Sequence, residues 1–138
     1  MLANRIKHIM VVDDEDDYHL ITRMMLKKSG YGGKVSAFQD PDIALQHLRT
    51  TADQPALLLV DINMPSTNGF EFIRHCNTEN LISAASTTVV LCSSSNRPVD
   101  MAMADQLPNV SAYVEKPLTK ERFLLIANEH IQRRSSAN

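Results

Sequence analysis

Short apolar segments alternate along this chain with segments whose apolar residues recur at helical spacing, and this alternation limits the fold more than any other feature. The apolar segments lie at residues 6–12, 34–38, 56–60, 87–92 and 111–115. Each is followed by a helical segment, at 18–30, 40–48, 70–76, 97–107 and 119–131. Parallel strands need such crossover connections, which are usually helices. The pattern therefore predicts an α/β protein with an open, doubly wound, five-stranded parallel sheet and five helices.

Helical spacing also predicts which side chains of the helices face the sheet. Two of the helices have favourable first residues, because Asp40 precedes Pro41 and Thr119 begins the last segment. The residues expected to point inward, taken helix by helix, are Leu20, Ile21, Met24 and Met25; Ala44, Leu45 and Leu48; Phe70, Ile73 and Cys76; Val99, Met103 and Leu107; and Phe123, Leu124, Ala127 and Ile131.

Length, composition and charge limit the class of protein. A chain of 138 residues is expected to form a single domain, here with a core at 6–131 and a frayed polar tail at 132–138. It contains no apolar run long enough to cross a bilayer, and its start does not resemble a signal peptide, so we expect no membrane insertion and a cytoplasmic location. The formal net charge is −2. Without clustered lysine and arginine, nucleic acid is not an expected partner.

Cysteine and histidine spacing gives no sign of a zinc or disulfide site. Cys76 and Cys92 are expected to be reduced and buried, because they lack a C-x-x-C spacing or a histidine at a ligand interval. The histidines show no ligand motif and are expected at the surface or at the edge of the core. They are His8, His19, His47, His75 and His130.

Polar side chains stand at the ends of four predicted strands. Asp13 and Asp14 follow the first strand, Asp61 the third, Ser93 the fourth and Lys116 the fifth. Ligands of open α/β sheets bind beyond the carboxyl ends of the strands. We therefore expect these residues to meet at one edge of the sheet.

Each of these residues also has an ordinary structural explanation. The acidic run at 13–17 suits the positive end of the following helix, and Asp61 suits a cap or turn before Pro65. Ser93 to Ser95 could be a polar loop, and Lys116 could be a solvated turn residue. Their coincidence at matching strand ends favours a site.

The charges of such a site predict what it binds. Two unit charges about 4 Å apart repel by roughly 4 kcal/mol at an effective dielectric constant near 20, so clustered carboxylates need a counter-charge. Oxygen ligands without histidine or cysteine favour Mg²⁺ or Mn²⁺ over zinc. Together with Lys116, a hard cation would form a cradle for a phosphoryl group.

These motifs resemble those of a response-regulator receiver domain of the two-component systems, over residues 6–131. The matching stretches are VVDDEDD at 11–17, LLVDINMPSTNGFE at 58–71 and AYVEKPL at 112–118, with Ser93 ending the fourth strand. The resemblance implies a flavodoxin-like sheet in the order 2-1-3-4-5. It also implies a phosphoacceptor signalling domain rather than an enzyme, one that assists its own phosphotransfer and dephosphorylation.

The resemblance assigns roles to individual residues. Asp61 is similar to the aspartate that accepts a phosphoryl group from a sensor histidine kinase or a histidine phosphotransfer protein. Asp14, Asp61 and the backbone carbonyl of Asn63 resemble the Mg²⁺ ligands, with Asp13 acting through a metal-bound water. Lys116 would pair with phosphoryl oxygens, and its bond to Pro117 is expected to be cis.

The resemblance also implies a switch and a binding surface. Ser93 is similar to the hydroxyl that moves to the phosphoryl group, and a hydroxyl suits this role better than the thiol of the adjacent Cys92. Tyr113 resembles the aromatic residue that changes its packing with that hydroxyl. Asn63 and Ser95 stand where family members tune hydrolysis. A stand-alone receiver would signal by binding a protein at the fourth helix, the fifth strand and the fifth helix.

Two other functions remain as alternatives. The first is a receiver fold that acts as an interaction module without phosphorylation, against which the retained Asp13, Asp14, Asp61, Ser93 and Lys116 speak. The second is a haloacid-dehalogenase-type phosphatase, which needs a second acid two residues after its nucleophile. Asn63 stands at that position after Asp61, and after Asp13 comes Glu15 without the expected threonine or valine, so the second alternative is disfavoured.

Overall fold

The computed structural model of the protein describes residues 2–94 and 97–136. These residues form a sequence of helices and strands that matches the predicted alternation. The elements are α1 (Leu2–Arg5), β1 (His8–Val12), α2 (Asp16–Lys28), β2 (Lys34–Phe38), α3 (Pro41–Thr50), β3 (Leu57–Asp61), α4 (Gly69–Thr78), β4 (Thr88–Ser93), α5 (Pro98–Asp105), β5 (Val110–Glu115) and α6 (Lys120–Ser136). The short helix α1 has no counterpart in the prediction.

The five strands form one parallel sheet in the order β2-β1-β3-β4-β5, which confirms the predicted architecture and strand order. β1, β3 and β4 are buried along their whole length. Strands covered on both faces have no polar side to expose, and for this reason they read as continuous apolar runs in the sequence. The core residues of α3, α4 and α5 lie with one face of the sheet, and those of α2 and α6 with the other.

The predicted inward face of α2 is wrong for most of its residues. Leu20, Ile21 and Met24 are 62%, 48% and 51% exposed, and Met25 alone of the predicted set is buried. The buried face carries His19 and Thr22 with Met25 and Leu26. On this face His19 Nε2 donates to the backbone carbonyl of Asp13 at 2.7 Å, which gives one nitrogen of the buried imidazole a partner. The prediction failed because it used apolar spacing alone, whereas two residues of the buried face, His19 and Thr22, are polar.

The later helices match the prediction in part. The inward residues predicted for α3 and α4 are buried, as are Phe123 and Ala127 of α6, whereas Leu124 and Ile131 are partly buried. In the weaker helix α5, Val99 is exposed and Asp100 is buried instead. The helix α6 continues to Ser136, beyond the predicted start of a frayed tail, and residues 137 and 138 lie outside the described part of the chain.

The buried cysteines are confirmed, but the expectation for the histidines is wrong at three positions. Cys76 and Cys92 are free and buried. His8, His19 and His130 are buried rather than at the surface. His130, which is 2% exposed, holds its Nδ1 2.6 Å from the Thr88 hydroxyl, a short polar contact inside the core. Local polar partners in the fold thus permit histidine burial that spacing alone does not indicate.

His130 makes folding stability depend on pH. Burial, and then repulsion by Arg133 and Arg134, lowers the pKa of His130 to about 4. The unfolded chain therefore binds a proton more readily, so this contribution to stability is present above about pH 6.5 and is lost as pH falls toward 4. We expect a loss of up to about 3 kcal/mol of folding stability.

Urea unfolding at several pH values measures this effect. His130→Gln should lose less folding stability than the wild type between pH 7 and 4, whereas the exposed-site control His75→Gln should lose as much as the wild type. Equal losses in all three proteins would contradict the prediction.

Within residues 2–94 and 97–136, no helix has the length and apolar character needed to cross a membrane.

Candidate functional site

The sheet brings the predicted polar residues to one edge. Asp61 is the last residue of β3 and Ser93 the last of β4, while Asp13 and Lys116 directly follow β1 and β5. The strand register aligns these ends, since Val12 pairs with Val60 and Asp61 pairs with Cys92. Neighbouring parallel strands therefore end at the same level and hold their terminal side chains together.

The segment after β3 turns sharply back under Asp61. Asn68 caps α4 by accepting a hydrogen bond from the Glu71 backbone N–H at 2.9 Å. Gly69 then passes so close to the strand end that a Cβ atom there would lie 2.6 Å from the carbonyl oxygen of Asp61. The asparagine and glycine of the NG pair thus have separate functions, helix capping and close backbone approach.

Lys116 forms the centre of the site. Its Nζ lies 2.6 Å from Asp13 Oδ2, 3.3 Å from Asp61 Oδ1 and 3.4 Å from Glu15 Oε1. Its backbone N–H donates to the Ser93 carbonyl at 2.7 Å. The Lys116–Pro117 peptide bond is cis, as expected. One buried ammonium therefore contacts carboxylates that arise from two different strand ends.

Burial and mutual charge shift the ionisation of these groups. Burial, and then repulsion by Asp13, raises the pKa of Asp61 to about 6, although Lys116 opposes the rise. Burial alone would lower the pKa of Lys116, but its hydrogen bond with Asp13 and the charges of Asp13 and Asp61 raise it above the ordinary lysine value. At neutral pH Asp61 is therefore mostly ionised beside a firmly protonated Lys116.

The acidic side chains are placed as a cation site requires. Each of Asp13, Asp14, Glu15 and Asp61 offers a carboxylate oxygen, and these oxygens lie within 4.8 Å of one another. Among the described residues, Asp14 Oδ1 is buried and has no hydrogen-bond partner. A buried carboxylate oxygen without a partner is costly unless something else coordinates it. The set of hard oxygen donors fits Mg²⁺.

The predicted switch residues lie on β4 and β5, with Ser93 at the end of β4 and Tyr113 within β5. Ser93 is fully buried, and Tyr113 is partly buried against the core on the α3, α4 and α5 side. Their strands are adjacent, since Ser93 pairs with Glu115 and Tyr113 pairs with Leu91. Burial raises the pKa of the neighbouring Cys92 to about 12, so its thiol stays protonated. Ser95, expected to tune hydrolysis, lies outside the described residues, and Asn63 is exposed two residues past Asp61.

Two residues at the site were missed by sequence reasoning. Glu15 belongs to the carboxylate cluster although its side chain is 64% exposed. Tyr18 places its ring centroid 4.3 Å from Lys116 Nζ. Both lie within the stretch DDEDDY at 13–18, where an aromatic residue after an acidic run was the available signal.

Comparison with known proteins gives a family match over most of the chain. The family model of the response regulator receiver domain matches residues 9–128. A two-component response regulator of Oryza sativa subsp. japonica, ORR41, is 28% identical over 125 residues, which cover 91% of this chain and 94% of the relative. The probable methanogenesis regulatory protein FilR2 of Methanothrix harundinacea is 23% identical over 117 residues, which cover 82% of this chain and 74% of that protein.

Solved structures show the same fold. The crystal structure of a two component response regulator from Cytophaga hutchinsonii superposes with a TM-score of 0.84 at 26% identity, covering 92% of this chain and 98% of that one. Receiver domains are signalling domains of two-component systems. The chain belongs to the response regulator receiver domain family.

Proposed function

We propose that the protein accepts a phosphoryl group on Asp61 from a sensor histidine kinase or a histidine phosphotransfer protein, and that it signals by binding another protein when phosphorylated. The observation that carries this proposal is the buried Asp61 carboxylate, which lies 3.3 Å from Lys116 Nζ within a cluster of four acidic side chains. Such a carboxylate is held rigidly at a strand end and faces a fixed positive charge.

The proposed transfer uses Asp61 as the nucleophile. An oxygen of its carboxylate forms a bond to phosphorus while the bond from phosphorus to the donor histidine nitrogen breaks, and that nitrogen keeps the electron pair. Before transfer, Lys116 Nζ lies 2.6 Å from Asp13 Oδ2 and 3.3 Å from Asp61 Oδ1. The ammonium is therefore near enough to pair with a phosphoryl oxygen on Asp61. The contribution of the protein is positioning and charge neutralisation rather than acid–base chemistry.

A divalent cation completes the charge balance of the proposed site. Asp14, Asp61 and the Asn63 backbone carbonyl would hold Mg²⁺, with Asp13 acting through water, and Mn²⁺ has the same ligand preference. When bound, the ion supplies positive charge to the phosphoryl oxygens. The unpartnered Oδ1 of Asp14 supports this assignment.

The proposed output is a rearrangement that starts at the new phosphoryl group. Its added charge and acceptor oxygens would attract the Ser93 hydroxyl and change the packing of Tyr113 on the adjacent strand. The surface that reads this change would comprise α5, β5 and α6. Met101 of α5 is 45% exposed and is an adaptable contact for a partner protein.

Intact-mass measurement with acetyl phosphate tests the function without a cognate kinase. The wild type should gain one phosphoryl group in the presence of Mg²⁺ and almost none in EDTA. Asp14→Asn should lower the initial rate at limiting Mg²⁺ by about tenfold or more, because it removes one charged metal ligand. The exposed-site control Asp53→Asn should react like the wild type. Absence of incorporation into the wild type, together with unchanged spectra, would favour an interaction module that acts without phosphorylation.

A further inference from the structure

Tyr18 touches the loop after β5 at two points. Its ring centroid is 4.3 Å from Lys116 Nζ. Its hydroxyl oxygen accepts a hydrogen bond at 3.1 Å from the backbone N–H of Leu118, which is 100 residues away in sequence. The two contacts lie on either side of Pro117. The first turn of α2 is thereby joined directly to the segment that carries the ammonium.

The carboxylates alone do not fix where this ammonium points. Lysine has a long side chain with a large rotamer entropy and a charge without strong directional preference. Asp13, Asp61 and Glu15 all lie within 3.4 Å of Lys116 Nζ and compete for its protons. A neutral aromatic face attracts the cation without adding a further negative charge. The ring can therefore restrict the ammonium while leaving its protons to the oxygens.

The Lys116 side chain that contacts this ring is 8% exposed, and the space between the ring and the strand ends is small. The cavity between Tyr18, Asp13, Asp61, Cys92 and Leu118 measures about 10 Å³. This is at the lower limit of the volume that holds one water molecule. A cation–π contact is stronger when it is desolvated, and this one lies directly beside the proposed phosphoacceptor.

We propose that Tyr18 is a positioning residue for phosphoryl transfer, which holds the Lys116 ammonium over Asp61 through its ring and fixes the following loop through its hydroxyl. The inference rests on the proposed function of Asp61. Tyr18, in the first turn of α2, would thus help to place the Lys116 ammonium, which is carried by the loop after β5.

Variants of Tyr18 separate the two contacts. Tyr18→Phe keeps the ring and should lower the initial rate of phosphorylation by acetyl phosphate only about twofold to threefold, while hydrogen exchange of the Leu118 amide rises up to about tenfold. Tyr18→Leu loses both contacts and should lower the rate about tenfold.

Tyr31 provides the matched control. It is a buried tyrosine whose hydroxyl donates to the Lys34 backbone carbonyl at 3.1 Å and whose ring packs on Phe123. Lys34 begins β2, whereas Lys116 follows the end of β5, and these two strands form opposite sides of the parallel sheet. Tyr31→Phe and Tyr31→Leu should cost comparable stability but keep the phosphorylation rate within about twofold of the wild type. This comparison removes general destabilisation as an explanation.

Two further readouts distinguish positioning from support of the fold. In NMR spectra recorded without phosphate, the ring current of Tyr18 should shift the Lys116 Hε resonances upfield, and Tyr18→Leu should abolish this shift while Tyr18→Phe keeps it. In a Lys116→Gln background, Tyr18→Leu should lower the phosphorylation rate by less than about twofold, because its target is gone.

The outcomes separate this inference from the function on which it rests. A wild type that takes up no phosphate overturns the proposed function and the inference together. A wild type that is phosphorylated, with Lys116 resonances unaffected by Tyr18→Leu, overturns the inference alone. The same holds if Tyr18→Leu lowers the rate equally with and without Lys116.

Discussion

Replacement of Asp61 by asparagine is expected to abolish phosphorylation by every donor that modifies the wild-type protein. The amide of asparagine lacks the nucleophilic carboxylate oxygen needed to form an acyl phosphate. The change keeps the shape of a side chain that is 3% exposed, so the fold should survive. Intact mass after incubation with a panel of histidine kinases and ATP provides the measurement. Equal incorporation in wild type and Asp61→Asn would refute the assignment.

The same variant should be more stable than the wild type at neutral pH. The pKa of Asp61 is raised to about 6, so its carboxyl favours folding while it is protonated and opposes folding as pH rises through 6. Asparagine removes that buried charge, and we expect a gain of about 2 kcal/mol above pH 7 that shrinks toward pH 4. Asp53→Asn, at an exposed site, should change stability little. A gain that does not depend on pH would contradict the assigned ionisation.

Replacement of Lys116 by methionine is expected to produce the second large effect, a loss of folding stability. Asp13 and Asp61 are 1% and 3% exposed and share this ammonium as a counter-charge. Removal of one partner leaves the other charges buried and uncompensated, which costs about 3 kcal/mol. The loss should be largest near pH 8 and smaller near pH 5, because protonation of Asp61 removes one of the repelling charges.

Urea unfolding at both pH values, with and without Mg²⁺, measures this effect. Mg²⁺ should restore part of the lost stability, since it offers the carboxylates another counter-charge. Lys120→Met removes an exposed lysine of the same length and should change stability by less than about 0.5 kcal/mol. If Lys116→Met were as stable as the wild type at pH 8, the carboxylates would have to be solvated rather than paired.

Most of the fold could be predicted from local patterns. The strands β1, β3 and β4 are continuous apolar runs because helices cover both faces of the sheet, and two helices carry the predicted start signals at Asp40 and Thr119. The predicted site residues could be read from their positions at strand ends. Parallel strands aligned in register necessarily bring Asp13, Asp61 and Lys116 to the same edge.

Contacts between distant segments could not be predicted in this way. On the buried face of α2, His19 bonds to the Asp13 carbonyl, whereas apolar spacing alone placed Leu20 and Ile21 there. The packing of Tyr18 on Lys116 depends on the loop after β5 reaching the first turn of α2, and the inclusion of Glu15 in the carboxylate cluster depends on the ends of β1 and β3 lying side by side. Helix periodicity contains no information on such contacts.

The sequence by itself determined the succession of strands and helices along the chain and the types of side chain at the strand ends, because both follow from short-range spacing. Only the tertiary structure decided which side chains surround the ammonium, how deeply they are buried and how far the pKa of Asp61 rises. These properties depend on distances and on exclusion of water, and they arise when segments far apart in the chain pack together.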